Sequence, residues 1–127
     1  MVIVKRLAFL LVACILLGCG PDTIFLRQGL DTPSQHVANG HQLLERGKID
    51  DACREFVRAK ELDPDYIKAY VGLALALGHK GDMGAAMRTM GQAKEMADSA
   101  QDRDLVHKGF EQLSHIKPPA SGGSQSN

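Results

Sequence analysis

Tryptophan is missing from this chain, and its 127 residues include only four phenylalanines, two tyrosines, five prolines and three cysteines. Beyond residue 30, Val, Ile and Pro are sparse, while Ala, Leu, Met, Lys, Glu and Gln dominate. That balance excludes a strand-rich domain and predicts an all-α fold. An excess of charge is absent too, since 15 basic residues face 15 acidic ones. That balance argues against a polybasic surface for nucleic acid or acidic lipid.

Several chemistries lack their residues. His36, His41, His79, His107 and His115 include no pair at the four-residue spacing that puts two imidazoles on one helical face for a metal. Gly78, Gly81 and Gly84 have neither the strand nor the lysine of a phosphate-cradling loop. Cys53 has no Cys-His-Asn context and reads as a small buried apolar residue. Asp50-Asp51 and Asp63/Asp65 read as capping or turn carboxylates, not a calcium loop. No catalytic residue, metal or cofactor is expected, and the chain reads as a non-enzyme.

The apolar run at residues 7–17 follows Lys5 and Arg6. It has the length of a signal h-region and is too short for a comfortable membrane span. Leu16-Leu17-Gly18-Cys19 closes it and resembles the lipobox of bacterial lipoproteins. The resemblance implies a signal peptide over 1–18, cleavage before Cys19, and acylation of that cysteine, with 19–32 as lipidated N-terminus and linker. Gly20, where inner-membrane lipoproteins tend to carry aspartate, implies an outer-membrane location facing the periplasm. Cys14 would leave with the leader and Cys19 would be acylated, so Cys53 has no partner for a disulfide. Removing residues 1–18 from 127 leaves 109, enough for one small domain, with 13 basic against 15 acidic residues.

Shifted by 34 residues, the chain echoes itself: Gly40 falls on Ala74, Leu43 on Leu77, Gly47 on Gly81, Ala52 on Ala86, Phe56 on Met90 and Ala59 on Ala93. Each segment reads as two helices broken at a glycine. Thr32 with Pro33 predicts the first N-terminus. Asp50 or Asp51 is expected to cap the second helix, and Asp63-Pro64 to end it. Small residues let the paired helices approach closely, and Leu43, Phe56, Leu73, Leu77 and Met90 fill the gaps between them. This pattern resembles the tetratricopeptide repeat, a 34-residue helix–turn–helix. The resemblance implies a short helical solenoid with repeat one over 33–66 and repeat two over 67–100. Departures are Asp98 in place of the terminal proline, Met90 in place of an aromatic, and His36 and Asn39 where large apolar residues are usual.

Leu105, Val106, Phe110, Leu113 and Ile116 recur at spacings of three and four, predicting a capping helix within 101–116. From 117 to 127 the composition turns to Pro, Gly, Ser and Asn, a disordered tail with nothing to bury. Residues 24–30, rich in Ile, Phe and Leu, read either as a short helix over the first repeat or as a tether on the bilayer.

The repeat resemblance further implies a concave groove lined by the first helix of each pair: Val37, His41 and Leu44, then Lys68, Val71, Leu75 and His79, with Leu105 and Gly109 following. A mostly apolar groove suits an amphipathic helix or extended apolar segment of a partner. The alternative is that it packs on residues 24–30 of the same chain. The implied function is a membrane-anchored, non-enzymatic adaptor or assembly factor in the bacterial envelope. A narrower form is a pilotin-like accessory protein for a secretin, pilus or secretion system. The remaining alternative is a self-associating helical module that completes a short solenoid.

Overall fold

The computed structural model describes residues 31–117. These form five helices: α1 (Pro33–Glu45), α2 (Ile49–Leu62), α3 (Ile67–Lys80), α4 (Met83–Met96) and α5 (Ala100–His115), with no strand among the described residues. The fold is all-α and repeat-like. None of these helices is long and apolar enough to cross a membrane. The expected signal peptide, the candidate lipidation site Cys19, residues 24–30 and residues 118–127 lie outside the described residues.

The two hairpins share their turn chemistry at the 34-residue step. Gly47 and Gly81 both take left-handed backbone, φ 73° and 94°, a region in which a side chain is strained. Gly47 N–H donates to the Leu44 carbonyl and Lys48 N–H to that of Leu43, each at 2.9 Å. Gly81 and Asp82 repeat this on Gly78 and Leu77, each at 3.0 Å. Both turns thus satisfy the last carbonyls of one helix while starting the next.

The other ends have local causes. Thr32 caps α1 by accepting from Gln35 N–H at 3.2 Å, ahead of Pro33. At α2 the expected carboxylate cap is corrected: Lys48 stands at the N-cap without a side-chain bond, and Asp50 and Asp51 lie inside the first turn. There they complement the positive end of the helix dipole. The corresponding position before α4 is Asp82, whose carboxylate accepts from Ala85 N–H at 2.9 Å. The fifth helix begins at Ala100, within the segment assigned to the second repeat. Ser99 and Asp102 form a reciprocal capping box there, with Asp102 N–H donating to Ser99 Oγ at 3.0 Å.

Helix α3 is the centre. It is in contact with α1 and α2 on one side and with α4 and α5 on the other. Its residues 71–76 are accordingly all buried, as an all-round apolar helix requires. One core cluster joins Val37, Ala52, Phe56 and Ala59 to Ala69, Leu73 and Ala76. The other joins Val71, Ala74 and Leu75 to Ala86, Met90, Ala93, Val106 and Leu113, and Leu77 packs against both. Phe56, Met90 and Leu113 are the largest fully buried side chains.

Candidate functional site

Three alternate helices, α1, α3 and α5, turn one face toward a cleft of about 640 Å³. Helix α1 contributes His41 and Leu44, α3 contributes Leu75 and His79, and α5 contributes Gln112 and His115, with Ile116 and Lys117 just beyond. The structure therefore brings together His41, Leu44, Leu75 and His79 of the seven groove residues expected from sequence. Leu75, 9% exposed, forms part of the floor, and the three histidines are exposed at its edge.

The other three are placed differently. Val37 is buried, packed with Ala69, Leu73 and Ala76 of α3, so it is not presented to a partner. Val71 is also buried, covered by α5: a Cβ on Gly109 would come within 3.0 Å of Val71 Cγ1. Lys68 is exposed on α3 but does not line the cleft. Gly109, expected to extend the groove, is buried against Met90 and Val71, and Leu105 packs on the core.

The contribution of Gln112, His115, Ile116 and Lys117 escapes the 34-residue echo because α5 does not keep it. Three residues, 97–99, join α4 to α5, whereas four, 63–66, join α2 to α3. A one-residue change in a helix's start turns its face by roughly 100°. The sequence signal for this is Ser99-x-x-Asp102, a cap whose first residue stands one repeat after Asp65 and follows Asp98, which replaces Pro64.

Electrostatics differ among the histidines. Partial desolvation of its ring lowers the His41 pKa below 6.5, opposed only by the nearby Glu45 carboxylate. Its ring meets Phe56 edge-on, centroids 5.2 Å apart. On the opposite hand, His36 bridges Asp31 Oδ1 and Glu55 Oε2, each at 2.8 Å. Burial would depress His36, but the hydrogen bonds to Asp31 and Glu55 outweigh it and raise its pKa above 6.5. Asn39 Nδ2 donates to the same Glu55 oxygen at 3.2 Å, and Arg58 donates to Asp31 at 2.9 Å. His36 and Asn39, unusual for the repeat pattern, thus form a polar clasp between the chain entry, α1 and α2.

Two smaller hollows of about 320 Å³ each lie on the α4–α5 side and share Phe110. One has Lys94, Arg103 and His107 around Val106 and Phe110, and the other is lined by Met83, Met87 and Leu113. Met87 is 49% exposed there, and no helix follows α5 among the described residues to cover it. No group of three His, Cys, Asp or Glu side chains is arranged to hold a metal ion among the described residues. Cys53 is half-buried, and desolvation raises its thiol pKa above 9.0. A thiol held protonated is a poor nucleophile.

No protein-family model, curated protein or solved structure matches the chain.

Proposed function

We propose that the chain is a lipid-anchored protein of the tetratricopeptide-repeat type that docks a partner protein at a bacterial membrane and catalyses no reaction. The observation that carries this reading is the cleft spanning α1, α3 and α5, with its apolar floor and polar edge. Binding sites have this build, a largely apolar concavity with a few convergent polar groups. The repeat assignment is supported by the identical hydrogen-bonded turns at Gly47 and Gly81, 34 residues apart. The anchor is supported by Leu16-Leu17-Gly18-Cys19, and Gly20 favours the outer membrane facing the periplasm. Acyl chains at about 0.8 kcal/mol per buried methylene suffice to hold such a domain at the bilayer.

The test expresses the full chain with its leader in a bacterium and carries a photocrosslinking residue at His79. An alkyne fatty acid should label the wild type and not Cys19→Ala. The crosslinker should capture one envelope protein reproducibly. An unlabelled wild-type chain removes the anchor; a crosslinker that captures nothing removes the docking role.

A second reading rests on the α4–α5 edge, where exposed Met87 and half-buried Phe110 have no covering helix among the described residues. A second copy meeting this edge would complete the short solenoid. Sedimentation of the chain in detergent should then show a dimer that Met87→Glu dissociates.

A further inference from the structure

The titratable side chains that line the α1–α3–α5 cleft are all basic. Around Leu44, Leu75 and Ile116 stand His41, His79, His115 and Lys117, and no carboxylate lines the cleft among the described residues. Each of the three helices supplies one imidazole from its last two turns. Histidine changes charge between pH 5 and 8, so this edge gains positive charge as pH falls. The groups packed around His41 are Glu45 on its own helix, the uncharged Phe56 of α2, and His79 and His115 across the cleft. Glu45 is the one acid among them.

We propose that the occupant of this cleft is an amphipathic helix of another protein whose apolar stripe is flanked by Asp or Glu, held more tightly as the cleft histidines become protonated. The proposal rests on the docking reading above and adds the chemistry of the partner. Charge complementarity selects this occupant over the chain's own segments. Residues 24–30 contain Arg27 and no acid, the wrong sign for this edge. A second copy presents mixed charge and no purely acidic flank, with Asp51 paired to Arg54, Glu61 to Arg58 and Asp104 to Lys108. An acidic flank brings opposite charges to the rim, where they set specificity and association rate.

The experiment uses the full acylated chain in nanodiscs of zwitterionic lipid, with empty discs as the blank. The probes are two fluorescein-labelled synthetic helices with the same leucine stripe, one flanked by Glu and the other by Lys. Anisotropy is read at about pH 5.5 and about pH 7.5, on either side of the ordinary histidine range. The Glu probe should bind more tightly than the Lys probe. Its affinity should rise about tenfold at the lower pH, a change equal to one modest charge pair.

The His41→Gln/His79→Gln/His115→Gln variant should keep the affinity seen at the higher pH and lose the rise. Because His41 touches Phe56, the His79→Gln/His115→Gln variant serves as a second test and should lose most of the rise with the fold intact by circular dichroism. Equal binding of both probes, or a pH response that survives in both variants, overturns the proposal while leaving docking in place. Binding of neither probe overturns docking itself. Probe binding that weakens as protein concentration rises assigns the cleft to a second copy. Binding gained only when residues 24–30 are replaced by a Gly/Ser linker assigns it to that segment. Either outcome overturns the proposal.

Discussion

The Phe56 ring occupies the space into which a Cβ on Gly72 would project, locking α2 between α1 and α3. A Cβ on Gly40 would likewise stand 2.7 Å from two carbons of the same ring. Phe56 is fully buried, so it cannot swing aside as the tip of a flexible chain can. Gly72→Ala is therefore expected to destabilise the protein. Overpacking costs about 1–3 kcal/mol, and the better helix propensity of alanine returns only about 1 kcal/mol. Gly109→Ala meets the unbranched thioether end of Met90 as well as Val71 Cγ1, and Gly78→Ala meets a terminal methyl of Leu113; with more torsions to adjust than a ring has, these should cost less. Gly91→Ala, with nothing within 4 Å, should stabilise by up to about 1 kcal/mol. Urea unfolding of the four variants checks the order, and Phe56→Leu should cost less in the Gly72→Ala background than alone.

Caps give a second prediction. Lys48 and Asp82 have nearly the same backbone, φ −86° ψ 69° against φ −88° ψ 71°, yet only Asp82 bonds to its helix. Lys48→Asp should place a carboxylate on Asp51 N–H as Asp82 does on Ala85 N–H. A cap of this kind is worth about 1 kcal/mol, less some repulsion from Asp50 and Asp51. Asp82→Ala should lose a similar amount. The shift in unfolding midpoint of the two variants, in opposite directions, is the check.

How far the sequence carried these features depends on which were local. The helix breaks at Gly47 and Gly81, and the Thr32-Pro33 start, are written in neighbouring residues and were readable. So was the pairing of small residues with Phe56, because the 34-residue echo states it twice. Val37 and Val71 are buried where the repeat pattern implies a groove, and the reason is non-local. Whether a residue on a first helix faces a partner or a neighbouring helix depends on the crossing of α3 by α1 and α5, which periodicity does not encode. The share of α5 in the cleft was hidden by its shorter connection, which shifts its face. His36 looked misplaced in the apolar pattern because its partners, Asp31 and Glu55, lie 5 and 19 residues away.

The division between core and surface can be measured. Val71 and Lys68 share α3 and were both expected in the groove, but Val71 is 5% exposed and Lys68 is exposed. Val71→Glu would bury an unpaired carboxylate and should unfold the domain, costing several kcal/mol or about the whole of a small domain's stability. Lys68→Glu should change stability by no more than about 0.5 kcal/mol. Loss of helical circular dichroism in the first variant and its retention in the second are the expected outcomes. A folded Val71→Glu protein would show that α5 does not cover this position.

The two histidines of α1 give opposite pH responses from one helix. His36, raised above 6.5 by Asp31 and Glu55, contributes stability that is complete below its unfolded pKa. That contribution is lost as pH rises through its folded value. His41, lowered by partial desolvation, adds nothing at neutral pH and costs stability as pH falls from 6.5 through its folded value. Between these two, the protein should be least sensitive to pH where the effects cancel, just around the ordinary histidine range. Asp31, lowered by its bonds to His36 and Arg58, adds a further loss only when pH falls through its folded value below 3.8. Site-resolved NMR titration should find His36 turning above 6.5 and His41 below it. In Asp31→Asn, one carboxylate leaves the clasp while Glu55 stays, so His36 should move down and His41 should not move. A shift of both histidines together would mean that the clasp and the cleft are coupled through α1, and not independent as their separate partners require.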